Sequence, residues 1–161
     1  MADNQKIIQE YNSLNEEGKF NFLRNFTQPL DRELAKFMLA IATDINGDDD
    51  ARIEAVKILG LYRGDYDDEF IKKELIIIIN NDDFEDDSLI VNCINTLALL
   101  SMTDEIIEFA LNIIQSDSYI LFKGAAFSLL SHNKQHPKAI EALKSLLNDK
   151  DYGKSAKREL E

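Results

Sequence analysis

The side chains in this sequence best equipped for chemistry are one cysteine, two histidines and a dense set of carboxylates. Cys93 would attack an electrophile only as its thiolate, which a neighbouring cation or imidazole must stabilise. It sits instead in LIVNCINTLALL, with no basic residue between Ser88 and Ser116, and reads as a small buried hydrophobe. His132 and His136 stand four apart, the spacing of two ligands on one helix face. HNKQHPK nevertheless reads as a polar turn ending at Pro137, with no third ligand placed to complete a metal site. DINGDDD puts Asp44, Asn46 and Asp48 at the first, third and fifth positions of a calcium loop. Its sixth position, where the sharp turn needs glycine, is Asp49, and its twelfth, where a bidentate glutamate is needed, is Ala55. A solvated turn that caps the next helix accounts for it better. No glycine-rich phosphate loop, nucleophile elbow or Cys-x-x-Cys pair occurs. The expectation is a chain that is not an enzyme and holds no cofactor and no metal.

Charge is the feature that stands out. Thirty acidic residues against eighteen basic give a net charge of −12, which opposes approach to a phosphate backbone or an anionic membrane. Residues 44–87 hold fifteen acids and five bases, and so carry ten of those twelve net charges. Most of the acids fall in three turns. INGDDD holds Asp48, Asp49 and Asp50; RGDYDDE holds Asp65, Asp67, Asp68 and Glu69; NNDDFEDD holds Asp82, Asp83, Glu85, Asp86 and Asp87. Tyr62, Tyr66 and Phe84 are interleaved with them. Aromatic anchors inside a charged ring are the usual composition of a protein interface, and the partner would then be a basic protein. Helix caps and a solvated surface have the same composition, and both readings stay open.

The elements that carry these turns are helices. The chain is 45% hydrophobic, mostly aliphatic, without tryptophan and with only two prolines, so helices are uninterrupted and hairpin turn chemistry is lacking. No apolar run reaches the roughly 20 residues needed to span a bilayer. MADNQKIIQEYN lacks the basic start and apolar stretch of a signal peptide, so a cytoplasmic location is expected.

Three segments begin with an acidic or serine-containing turn and continue with one apolar spacing: DDDARIEAVKILG, DDSLIVNCINTLA and SDSYILFKGAAFSLL. Ala55, Val56, Leu59 and Gly60 correspond to Cys93, Ile94, Leu97 and Ala98, then to Ala125, Ala126, Leu129 and Leu130. Each is followed by a second helix with apolar positions at i, i+3, i+6 and i+7. These are Ile71, Glu74, Ile77 and Ile78; Ile107, Ala110, Ile113 and Ile114; and Ile140, Leu143, Leu146 and Leu147, with Leu75 able to replace Glu74. Small residues in the first helices, including Ala55, Gly60, Cys93, Ala98, Gly124 and Ala125, would let neighbouring helices approach closely.

This pattern resembles the HEAT repeat, with Asp50, Arg52, Ala55, Leu59 and Gly60 carrying the resemblance best. The later copies lack the arginine and the glycine. The resemblance implies an all-α fold, an α-solenoid of antiparallel helix pairs in a right-handed superhelical stack. One repeat domain over 1–161 is expected: cap helices in 1–47, three helix pairs in 48–148 and a terminal cap in 149–161. Ser13 and Glu16 have capping-box spacing ahead of a helix with Phe20, Leu23 and Phe26; Pro29 stops that helix and Asp31 opens the next. Nine or ten helices are expected.

Two enzyme families built on such repeats are alkyl-purine DNA glycosylases and phycobilin lyases. The first needs a basic concave face with tryptophan, and no motif favours the second. Size, charge and repeat type resemble instead the small acidic immunity proteins with which bacteria neutralise their own toxins. That resemblance implies a non-catalytic inhibitor that covers a cationic nuclease centre. The alternative is a general HEAT-like scaffold or adaptor for a basic protein.

Overall fold

The computed structural model describes residues 3–161, and all the regular elements among them are α-helices, ten in number. In order they are α1 (Asn4–Asn12), α2 (Glu16–Arg24), α3 (Arg32–Thr43), α4 (Asp49–Leu61), α5 (Glu69–Asn80), α6 (Asp87–Leu97), α7 (Asp104–Gln115), α8 (Ile120–His132), α9 (Pro137–Ser145) and α10 (Gly153–Leu160). Among the described residues no helix is long and apolar enough to cross a membrane.

Short polar side chains start most of these helices by accepting the amide protons that the first turn leaves unpaired. Asp3, Asn15, Asp31, Asp48 and Thr103 each do so for α1, α2, α3, α4 and α7. The α2 cap corrects the sequence expectation. Asn15, not Ser13, accepts from the third residue on, Gly18 N–H, at 2.8 Å, while Ser13 closes α1 by donating its hydroxyl to the Glu10 carbonyl. Both residue types can cap, and the extended backbone that a cap requires falls on Asn15. α2 ends at Arg24, several residues before Pro29.

Contacts divide the chain into two compact units, Met1–Thr96 and Leu97–Glu161. In the first, α3 and α4 pack most closely, and both bury small residues: Ala35 and Ala42 on α3, Ala55 on α4. Leu23, Leu34, Met38, Leu59, Ile71 and Leu75 fill the space around them. Thr96 on α6 donates its hydroxyl to the Val56 carbonyl of α4 at 2.9 Å, a buried bond that fixes one helix along the other. In the second unit α7 and α8 pack most closely, with Ala110, Ala125 and Ala126 buried, and α9 lies against both. Asn133, just past α8, donates to the carbonyls of Leu129 and Ala98 and so ties the helix end to the segment before α7.

The predicted helix faces need three adjustments. Ile77 is 54% exposed, because six residues along a helix turn it about 120° away from Ile71. Leu75, Ile78 and Ile79 take the buried face with Ile71. Leu147 is also exposed, since α9 ends at Ser145 and Leu146 fills the last core position. Gly124 is not at a close helix approach: a Cβ built there meets nothing within 4 Å.

Candidate functional site

The acidic turns sit where helix dipoles favour them, at the starts of α4, α5 and α6. Asp48 caps α4 by accepting the Ala51 N–H at 3.2 Å, with Asp49 and Asp50 exposed in its first turn. Asp86 caps α6 by accepting from Ser88 and Leu89, and Asp87 follows it, exposed. Arg52, one turn into α4, joins these two starts. Its side chain is 3% exposed; Nε donates to the Ala42 carbonyl at 2.9 Å and Nη2 to Glu85 Oε2 at 2.7 Å. Asp48, Asp49 and Asp50 therefore share one end of α4 with Asp82, Asp83, Asp86 and Asp87, a single acidic rim.

The remaining turn lies at the other end of α4. Tyr62 ends that helix, its carbonyl accepts the Leu30 N–H at 2.8 Å, and Gly64 then runs so close to Leu30 that a Cβ would collide with the Leu30 carbonyl. Asp65, Asp67 and Glu69 follow, exposed. A helix of thirteen residues keeps the two acidic ends about 20 Å apart.

Two of the fifteen sequence candidates face inward. The Asp68 carboxylate is 1% exposed, with Arg63 Nε at 3.4 Å and Lys72 Nζ at 3.3 Å. Lys72 also pairs with Glu69 at 2.7 Å; burial opposes its charge, but these two carboxylates outweigh burial and raise its pKa. Glu85 is held by Arg52. Neither offers its charge to a partner, and each organises a turn instead.

The three aromatic candidates separate as well. Tyr62 packs edge-on against Phe26, with ring centroids 6.2 Å apart, and Tyr66 leans on Phe70. The Tyr66 hydroxyl is buried without a hydrogen-bond partner among the described residues, and burial raises its pKa. Phe84 differs from both. It is 83% exposed, at the crest of the turn before α6 where its N–H bonds the Asn81 carbonyl. Ile45, 74% exposed in the turn before α4, belongs to the same rim and was not singled out from the sequence. Its signal was available: a lone apolar residue in DINGDDD that neither the cap nor the core requires.

The other chemistry-bearing residues are engaged structurally. Cys93 is fully buried, and its thiol is pushed up to about 12 by burial, so it is protonated at neutral pH. His132 ends α8, while His136 caps α9 through Nδ1, which accepts the Lys138 N–H at 3.3 Å. Nε2 of His136 then carries the proton and faces Asp104 at 3.6 Å. Asp44 folds its own loop, accepting the Asn46 N–H at 3.0 Å. Among the described residues no group of three histidine, cysteine or acidic side chains is arranged to hold a metal ion. No family model, no curated protein and no solved structure matches the chain.

Proposed function

We propose that the chain is a non-catalytic protein-binding module, built of HEAT-like helix pairs in a right-handed stack, whose α4–α6 rim covers a basic surface of its partner. The observation that carries this reading is Phe84. An aromatic ring 83% exposed costs free energy in water and gains roughly 1.5–3 kcal/mol when buried, so its place beside the exposed acids Asp82, Asp83, Asp86 and Asp87 suits an anchor with a charged surround. A toxin with a nucleic-acid-binding centre is the partner that such charge suits best, because the rim presents carboxylates where its substrate would present phosphates. An immunity protein in the cytoplasm of the toxin-producing cell is the biological form of that activity.

A scaffold role is the second reading, and a separate observation favours it. Tyr119, Ile120 and Leu121, at the start of α8 in the other unit, form a second exposed apolar run, 48%, 57% and 53% exposed. Co-expression with the product of the adjacent toxin gene separates the two. Phe84→Ala and Ile45→Ser should abolish growth protection, whereas Ile120→Ser should leave it intact. Protection lost through Ile120→Ser alone would favour the scaffold, and protection that survives both rim substitutions would remove the rim from the interface.

A further inference from the structure

Beside the rim lies a cleft of about 360 Å³, walled by α1, the start of α2, α3 and the turn at 44–48. Its volume falls within the range of about 300–1,000 Å³ usual for pockets that take small groups. Tyr11 and Phe37 line it, as do Glu16, Lys19, Asp44 and Asp48 and, from the start of α4, Arg52, whose guanidinium is already held by Glu85 and the Ala42 carbonyl.

Tyr11 is the informative residue. It is 6% exposed, and its ring is clamped edge-on between Phe22 at 5.6 Å and Phe37 at 5.3 Å. No described residue makes a hydrogen bond to its hydroxyl, and unlike the Tyr66 hydroxyl it is not sealed from solvent, so its oxygen can accept from a donor entering the cleft that Tyr11 lines. Burial raises the pKa of that hydroxyl, and the carboxylates of Glu16 and Asp44, which line the same cleft, raise it further. The carboxylates are only partly engaged. Asp44 and Asp48 each use one oxygen for a backbone amide, and neither they nor Glu16 form an ion pair among the described residues. The one cation on the aromatic wall is Lys19, whose Nζ stands 5.3 Å from the Tyr11 ring centroid.

We propose that this cleft is a socket for an arginine side chain presented by the basic partner. A guanidinium has five N–H donors in one plane and no acceptor, which matches a phenol oxygen, two acidic walls and an aromatic face. Lys19 shows that the ring attracts a cation, and it competes with the guest for that face. The socket rests on the binding role proposed above and names the group that the rim's neighbourhood would capture.

The probe is a blocked Gly-Arg-Gly peptide titrated into the isotope-labelled full chain and followed by NMR, with citrulline and lysine peptides as controls. Saturable shifts should centre on Tyr11, Gly47 and Ala51. Tyr11→Phe, which keeps the rings and loses the hydroxyl, should weaken binding about two- to tenfold. Asp44→Asn should also weaken it, and Lys19→Ala should strengthen it about two- to fivefold by removing the competitor. Shifts spread evenly over the exposed acids, an equal response to citrulline, or no response would overturn the socket, and an equal response to lysine would overturn the guanidinium assignment. The peptide assay does not involve the partner protein. An empty cleft beside intact Phe84-dependent protection would therefore remove the socket alone, while a filled cleft without rim-dependent protection would remove the rim reading.

Discussion

The guanidinium of Arg52 and the carboxylate of Glu85 meet at 2.7 Å with 3% and 7% of their side chains exposed, thirty-three residues apart in sequence. A pair this buried holds the turn that presents Phe84 against the first turn of α4. Removing one partner leaves a buried charge without a counter-ion, so Arg52→Met should destabilise the protein by about 3–5 kcal/mol. Arg52→Met combined with Glu85→Leu should recover a large part of that loss. Urea denaturation of the wild type, both single variants and the double variant measures the coupling. Strictly additive losses would mean that the pair does not act as a unit.

The close approach of Gly64 to Leu30 and the open space around Gly124 give opposite expectations for one substitution. At Gly64 an added methyl meets a backbone carbonyl, which cannot rotate away, so Gly64→Ala should lower the melting temperature markedly. At Gly124, inside α8, the methyl meets nothing and the helix gains alanine's lower conformational entropy cost, so Gly124→Ala should stabilise by about 0.5–1 kcal/mol. Thermal melts of the two variants test both signs together.

Local features were legible in the sequence and tertiary ones were not. Asp31 and Asp48 mark helix starts through bonds set within three residues, and they read directly. Asn15 and Ser13 are equally plausible caps until the backbone chooses between them. Asp68 and Glu85 look like their exposed neighbours, because the cations that bury them are fixed by packing: Arg63 and Lys72 for one, Arg52 for the other. The Tyr11 cleft is invisible in sequence for the same reason, since its walls come from α1, α2, α3, the turn at 44–48 and the start of α4 together.

Cys93 links stability to alkaline pH. Its thiol is raised in the folded chain to about 12 from 9.0, so folded and unfolded forms bind the proton equally below the lower value. Between the two values the unfolded thiol ionises and the folded one does not, and stability falls as pH rises. Cys93→Ala should flatten that alkaline slope while costing packing at neutral pH. Urea melts between pH 8 and 11 should show the difference, which corresponds to about 1.4 kcal/mol per pH unit at most. Identical slopes in the two proteins would show that another group governs the alkaline loss. In the native protein at neutral pH, a thiol reagent should label Cys93 only through opening of the fold.

The two acidic ends of α4 permit a test of whether charge acts at the rim or merely in total. They lie about 20 Å apart, whereas the Debye length at physiological ionic strength is about 8 Å, so each end is screened from what approaches the other. Asp82→Lys with Asp83→Lys, and Asp65→Lys with Asp67→Lys, change the net charge by the same amount and avoid the buried acids Asp68 and Glu85. If a basic partner docks on the α4–α6 rim, the first pair should slow association by about tenfold or more and weaken its salt dependence, while the second should have a much smaller effect. Phe84→Ala should act on the other rate, raising dissociation by about tenfold to thirtyfold once the anchor is lost. Surface plasmon resonance with the proposed basic partner at low and high salt reads both rates. Equal slowing by the two lysine pairs would mean that the acids act only through net charge, and an unchanged dissociation rate for Phe84→Ala would move the anchor away from this turn.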